Sequence, residues 1–206
     1  MSSTEGRRVR KVQESREAMA NAAVELVLEN GLDQVTVEAI SDRVDVSRRT
    51  FTRYFAGKED AVVDALRADF AKINAALAAR PAEEHPLTAY HRALRDWLAN
   101  DPAAWHRRPR SGELLRLLHQ EPALLAAYGH VRDEAERASV TIVARRLALD
   151  PDDALRPALA VSLAVGAFGT AVRFWIRTDA TTPLPQLIDE AFAALAAEPA
   201  PSTTRK

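Results

Sequence analysis

The chain has 206 residues, of which 47% are hydrophobic, and a formal net charge of -1. This composition excludes a disordered chain and predicts a globular protein with a packed core. The absence of cysteine excludes disulfides and thiolate chemistry and fits a reducing compartment. Because no apolar run reaches the roughly 18 residues of a membrane-spanning helix, and because the basic N-terminus lacks the apolar segment of a secretory signal, we expect a cytoplasmic location.

Scarce glycine and the near absence of alternating β-branched residues predict an all-α fold. The first helix is predicted over about 14–29 and ends at Gly31. Two short helices, 37–43 and 48–55, follow Thr36 and Ser47, which are good N-cap residues. Longer helices, separated by prolines, are predicted at 59–79, 86–99, 112–119, 122–149, 152–177 and 185–197.

This pattern predicts two domains with flexible ends. We expect a flexible basic arm at 1–11, an N-terminal three-helix domain at 12–62, a helical C-terminal domain at 63–198, and a disordered tail at 199–206. Two interpretations of the arm are equally consistent with its four basic residues: contact with an anionic partner, or disorder without contact.

The segment 36–55 has the organisation of a helix-turn-helix, with the tight turn Val44-Asp45-Val46 between two capped short helices. Its apolar residues, Ile40, Val44, Val46, Phe51 and Phe55, are predicted to face the core. The second short helix carries arginines on its other face, and arginine can bond to a guanine edge with two donors. A near-neutral net charge does not oppose DNA binding, since five basic residues lie within 7–16 and five within 43–58.

The stretch TVEAISDRVDVSRRTFTRYFAGKED, residues 36–60, resembles the DNA-binding domain of the tetracycline-repressor (TetR) family. The resemblance implies base readers near Arg48 and Arg49 and phosphate contacts elsewhere in the segment. Two positions depart from the family pattern: Asp45 replaces a small residue in the turn, and Thr52 replaces an aromatic phosphate contact. Aspartate tolerates the left-handed conformation that such a turn needs. The DNA-binding residues predicted in this way are Thr36, Ser47, Arg48, Arg49, Thr52, Arg53, Tyr54 and Lys58.

One helix-turn-helix reads few base pairs, so specificity favours a homodimer on a palindromic operator. The stretch 158–174 is crowded with small residues, which allow close helix packing, either within the chain or between subunits. The family resemblance implies that the last two helices form a four-helix bundle between subunits. The predicted dimer interface consists of Leu163, Gly166, Ala167, Thr170, Phe174, Leu187, Ile188 and Phe192.

The C-terminal domain is predicted to bind a small-molecule effector. Its stretch 145–175 resembles an actinobacterial subgroup of the family that includes regulators similar to the mycofactocin-system repressor, whose C-terminal domain is described as binding acyl-CoA-like ligands. This resemblance implies a hydrophobic or acyl-type effector. Arg107, Arg108 and Arg110 either attract an anionic head group or, as we prefer, form a solvated loop. The predicted pocket residues are Trp97, Trp105, Leu114, Leu118, Tyr128, Phe168 and Trp175.

The combined expectation is a ligand-responsive transcriptional repressor. The five histidines lack metal-ligand spacing and there is no glycine-rich phosphate loop, so we expect no enzymatic activity, catalytic residue, metal or cofactor. An architectural DNA-binding protein without an effector is the alternative. The sequence also leaves open whether the protein represses or activates.

Overall fold

The computed structural model describes residues 2–102, 104–151 and 155–197. Within these ranges the chain forms α-helices and two short 3₁₀ turns and no β-strand, which confirms the predicted all-α class. The predicted tail 199–206 and the predicted helix start at 152 lie outside the described residues. The helices are Ser2–Asn30 (α1), Val37–Arg43 (α2), Arg48–Tyr54 (α3), Lys58–Ala78 (α4), Pro86–Asn100 (α5), Ser111–Gln120 (α6), Pro122–Arg146 (α7), Leu155–Arg177 (α8) and Leu184–Ala196 (α9).

The N-terminal helix differs from the prediction. It begins at Ser2, so residues 2–11 are the first turns of α1 and not a separate flexible arm. No proline interrupts this stretch, and its arginine, lysine and glutamate residues form helices readily, while Gly6 alone has a low helix propensity. The predicted helix end is confirmed, because Gly31 adopts a positive φ of 83° directly after α1.

The described residues group into two compact units. The first unit comprises Met1–Ala71 and Arg107–Ala135, and the second comprises Lys72–His106 and Glu136–Lys206. The sequence predicts a boundary after residue 62, whereas α4 runs without a helix breaker beyond that point. Each unit is therefore assembled from two separate stretches of chain.

The first unit has its core among the short helices and α1. Helix α1 packs against α2 and α6, and α2 packs against α3. Burial of apolar surface contributes roughly 25 cal/mol per Å², so complete removal of these side chains from water stabilises the arrangement of the three N-terminal helices. Fully buried members of this core are Met19, Val27, Ile40, Phe51 and Val62.

The second unit is organised around α8, which packs along α9 and α5. The buried face of α8 carries Val161, Ala164, Ala167, Ala171 and Trp175, at helical spacing. By length and composition alone, α8 is the one described helix long and apolar enough to cross a membrane, with a mean hydropathy of 1.7 over its most apolar window. The core helix of a globular domain meets the same criterion, and α8 packs against α9 and α5. Its length and composition are therefore weak evidence for a membrane span.

Candidate nucleic-acid interface

The starts of α2 and α3 are fixed by side-chain caps. Thr36 Oγ1 accepts a hydrogen bond from Ala39 N at 3.1 Å, and Ser47 Oγ accepts one from Thr50 N at 3.1 Å. Each cap satisfies a main-chain donor that has no partner within its helix. Both predicted N-caps are thereby confirmed, and they hold the two helices of the motif at defined starting points.

The turn between α2 and α3 depends on a left-handed residue. Asp45 has a φ of 52°, and Val46 N donates to Ser41 O at 3.0 Å across the turn. Aspartate is one of the few residues other than glycine that visit this region routinely. The predicted role of Asp45 in the turn is confirmed.

Helix α3 has one buried face and one exposed face. Phe51 and Phe55 are 0% and 2% exposed, and their ring centroids lie 5.2 Å apart. Ile40 is also buried, as predicted, whereas Val44 and Val46 are only half-buried at the turn. At 3.6 residues per turn, the residues on the other side of α3 point away from this core. The exposed side chains of this face are Arg48, Arg49, Thr52 and Arg53.

Two arginines of the exposed face of α3 have partners of different kinds. Arg48 Nη1 lies 2.8 Å from Glu38 Oε1, with side chains that are 71% and 55% exposed. Such an exposed pair contributes at most about 1 kcal/mol, so Arg48 can exchange Glu38 for a DNA group at little cost. Arg53 donates to the Tyr54 hydroxyl at 2.8 Å, and its guanidinium carbon lies 4.7 Å from the Tyr54 ring centroid. This contact directs Arg53 along the tyrosine ring.

Lys58, one of the predicted DNA-binding residues, has two partners within the protein. Its ammonium donates to Leu32 O at 2.7 Å and to Val35 O at 2.9 Å, and the residue is half-buried. These contacts join residues that lie 26 and 23 positions apart, so no local sequence pattern signals them. The structure therefore uses this lysine inside the first unit.

Arg16, which the sequence groups with the basic N-terminal residues, also has an internal role. It makes two hydrogen bonds to Asp64, at 2.9 and 2.6 Å, and Asp64 is 7% exposed. Donating these hydrogen bonds to the Asp64 carboxylate raises the pKa of Arg16 above its ordinary value. The Arg16 guanidinium carbon also lies 5.8 Å from the Phe55 ring centroid, so one side chain of α1 contacts both α4 and the end of α3.

The arginines at 107–110 do not form a simple solvated loop. Arg108 Nη2 contacts both carboxylate oxygens of Asp69, at 3.1 and 2.9 Å, and Asp69 is 1% exposed. Arg110 donates to Glu113 at 2.9 Å and to Leu28 O at 2.9 Å. Arg108 thus has a buried partner within the protein, which departs from the preferred solvated-loop interpretation, while Arg107 and Arg110 are exposed, as that interpretation expects.

The predicted pocket residues are divided between the two units. In the first unit Leu114 and Leu118 are buried, and Tyr128 stacks on Phe70 with centroids 6.3 Å apart. In the second unit Trp97, Trp105 and Trp175 are buried and Phe168 is half-buried.

The structure brings together the tryptophans of the second unit. Trp105 meets Trp175 edge to face at 5.8 Å, and His106 lies 5.9 Å from Trp105 and 6.0 Å from Trp97. The sequence analysis missed His106, which has no distinguishing pattern around it. Among the described atoms, the buried Trp97 Nε1 has no hydrogen-bond partner. Over the same part of the chain no three His, Asp or Glu side chains are grouped to hold a metal ion.

The predicted interface residues fall into two groups. On α8, Leu163, Gly166, Thr170 and Phe174 are exposed along one face, while Ala167 is turned inward and 8% exposed. On α9 the three predicted residues are covered by their own chain: Leu187, Ile188 and Phe192 are 7%, 0% and 6% exposed.

Comparisons with known proteins match both ends of the chain. Residues 20–65 match the family model of bacterial regulatory proteins of the tetR family, and residues 84–200 match the model of the MftR C-terminal domain. The HTH-type transcriptional regulator TcmR of Streptomyces glaucescens is 35% identical over 186 residues, which cover 84% of this chain and 79% of TcmR.

Solved structures share the fold at low identity. A transcriptional regulator from Rhodococcus sp. Rha1 aligns with a TM-score of 0.55 and 20% identity over 87% of this chain and 92% of its own. A transcriptional regulator of the TerR/AcrR family from Aquifex aeolicus VF5 aligns with a TM-score of 0.50 and 17% identity over 88% of this chain and 97% of its own. At such identities the likeness concerns the fold alone.

Proposed function

Because this chain belongs to the TetR family of transcriptional regulators, we propose that it is a repressor that binds a palindromic operator as a homodimer and leaves it when a small molecule binds. The observation that carries the proposal is the exposed face of α3, where Arg48, Arg49 and Arg53 lie together at the end of a capped helix-turn-helix. A helix of such a motif enters the major groove with its N-terminal residues at the base edges.

The position of each side chain supports a division of roles on DNA. Arg48 and Arg49 stand in the first turn of α3 and are proposed to read base edges, where a bidentate arginine–guanine contact discriminates by about 1–3 kcal/mol. Thr36, Ser47, Thr52, Arg53 and Tyr54 surround that turn and are proposed to bind phosphates. Thr52 Oγ1 donates to Arg49 O at 3.3 Å, so a phosphate that accepts from this hydroxyl replaces that bond.

A second copy of the chain is the proposed partner of the exposed face of α8. Leu159, Leu163 and Phe174 are 54%, 39% and 42% exposed, and they follow one helical stripe with Gly166 and Thr170. Leaving such apolar side chains in water is unfavourable, and a parallel or antiparallel copy of the same stripe covers both at once. Two DNA-binding units in one dimer then match the two half-sites of a palindrome.

The effector is proposed to be hydrophobic or to carry an acyl chain, and to bind the C-terminal domain. The buried tryptophans of the second unit, Trp97, Trp105 and Trp175, support the apolar character, and the match to the MftR C-terminal domain supports a ligand-binding role. Such a ligand releases DNA to the extent that it prefers a conformation with a different separation of the two α3 helices.

The proposal is tested by selection of binding sites from random duplex DNA with the purified full chain, followed by sedimentation of the complex. Enrichment of an inverted repeat bound by two chains supports it. Salt-sensitive binding without enrichment supports an architectural DNA-binding protein instead. For the dimer, Leu163→Glu is expected to yield monomers, while Ala126→Glu, which adds the same charge at an exposed position of α7, is the control.

Release by an effector is tested with the selected operator. Palmitoyl-CoA and free palmitate are titrated into the protein–operator complex, with CoA alone as the control for the head group. Loss of operator binding with either lipid, but not with CoA, supports an acyl-type effector. Unchanged binding with all three contradicts that part of the proposal and leaves operator recognition untouched.

A further inference from the structure

The first residue of α4, Lys58, bonds to two main-chain carbonyls of the segment that precedes α2. We infer that Lys58 is a positioning residue for operator binding: it holds the segment 32–36, and with it the start of α2, against α4, and it does not act by neutralising a phosphate. This inference rests on the proposed function, because it concerns how the same DNA-binding surface is kept in place.

The segment that Lys58 holds leads directly into the capped start of α2. It contains the 3₁₀ turn Leu32–Gln34, and Leu32 and Val35 are 5% and 2% exposed. Val35 O, one of the two acceptors, belongs to the residue immediately before the N-cap Thr36. The bond therefore restrains the main chain one residue away from a group proposed to bind phosphate.

The first turn of α4, which carries Lys58, is also held by hydrogen bonds. Asp60 Oδ2 accepts a hydrogen bond from Ala56 N at 3.1 Å, and Ala61 N donates to Gly57 O at 3.2 Å, so the first turn of α4 is closed on the preceding loop. Lys58 thus connects two ordered segments, and a shift of one is transmitted to the other.

Electrostatics explains why the ammonium needs these carbonyls. A cation in the first turn of a helix faces the positive end of the helix dipole, which is unfavourable. The partial negative charges of Leu32 O and Val35 O offset this effect at 2.7 and 2.9 Å. Two of the three N–H donors of the ammonium are therefore already hydrogen-bonded within the free protein.

The test compares Lys58→Met with Lys11→Met, which removes the same charge from an exposed lysine of the same unit. For Lys58→Met we expect operator Kd to rise about tenfold, as loss of hydrogen bonds to a charged group implies. Affinity for random duplex DNA and the slope of log affinity against log salt stay unchanged. Equal weakening on both DNAs, with the slope reduced by about one, identifies a phosphate contact and overturns the inference. A lower melting temperature with unchanged Kd per folded molecule identifies a merely structural role and also overturns it.

A second measurement uses the unaltered protein and does not require the variant to fold. Reductive methylation with formaldehyde and cyanoborohydride is followed for each lysine by mass spectrometry, with and without operator. We expect Lys58 to react several-fold more slowly than Lys11 in the free protein, with no further protection on DNA. Fast reaction in the free protein, with protection only on the operator, contradicts the inference. Because the methylation rates in the free protein are measured without operator, this result is independent of whether the proposed function holds.

Discussion

Arg48 and Arg108 lie in the same compact unit and each pairs with a carboxylate, but the two carboxylates differ in depth. Glu38, the partner of Arg48, has a side chain that is 55% exposed. Asp69, the partner of Arg108, has a side chain that is only 2% exposed. Removing an arginine from an exposed pair changes stability little, whereas removing it from a buried carboxylate leaves an uncompensated charge. The depth of the partner thus separates arginines that are available to DNA from arginines that hold the fold.

The largest effect is expected for Arg108→Met. The variant removes the Arg108 guanidinium from the buried Asp69 carboxylate, so the free energy of unfolding falls by about 3–5 kcal/mol, as measured by urea denaturation. Operator Kd of the folded fraction stays unchanged. The double variant Asp69→Leu with Arg108→Met recovers much of the lost stability, because an apolar pair replaces the ion pair. A loss below about 0.5 kcal/mol in the single variant, the range of ordinary surface changes, contradicts the account.

The second effect concerns Arg48→Ala and appears in DNA binding. Operator affinity is expected to fall by about 1–3 kcal/mol, through loss of a base contact, with a smaller loss on random duplex DNA. The free energy of unfolding changes by no more than about 0.5 kcal/mol, since only an exposed ion pair is lost. Fluorescence anisotropy with both DNAs measures the difference. Equal losses on the two DNAs mean that Arg48 contacts phosphate.

The third effect concerns the N-cap of α3, the helix that carries Arg48, Arg49 and Arg53. Ser47→Ala removes the cap of α3 and is expected to lower the free energy of unfolding by about 1 kcal/mol, as measured by thermal denaturation. Ser47→Asn keeps a capping oxygen and serves as the matched control. If both variants lose the same stability, the hydrogen bond to Thr50 N does not hold the start of α3.

The smallest effect lies in the second unit, at a carboxylate of intermediate depth. Hydrogen bonds from Arg80, and then from Arg92, lower the pKa of Glu84 to about 2 from the usual 4.5. Because the folded-state pKa is depressed, the stabilisation is complete above pH 4.5 and is lost as the pH falls toward 2. In Glu84→Gln the unfolding free energy is expected to depend less steeply on pH in that window than in the exposed-neighbour control, Glu83→Gln. Parallel pH profiles contradict this.

The parts of the fold that the sequence predicts well are those determined by nearby residues. Thr36 and Ser47 identify the starts of α2 and α3 because a cap acts within three residues, and Asp45 identifies the turn because its own φ decides it. Proline gives the starts of α5 and α7 for a similar local reason. The end of α7 is less certain from sequence: the helix ends at Arg146 and not at the predicted 149, where Ala148 takes a φ of 53°.

The parts that the sequence predicts poorly depend on distant contacts. The roles of Lys58, Arg16 and Arg108 follow from partners 23 to 48 residues away, so their charges alone suggest DNA or solvent. Helical periodicity identifies Leu187, Ile188 and Phe192 as one buried face of α9. Periodicity does not reveal whether the cover is the same chain or a second copy, and the described structure covers this face with its own α8 and α5.

The most direct test of the central claim, that the exposed arginines of α3 read the operator while the paired arginines hold the fold, is a binding-site selection with the Arg48→Ala chain beside the original chain. We predict that the variant selects the same inverted repeat with preference lost at one base pair, at symmetric positions of both half-sites. An unchanged motif from the variant, or complete loss of the motif without a base-specific effect, contradicts the claim.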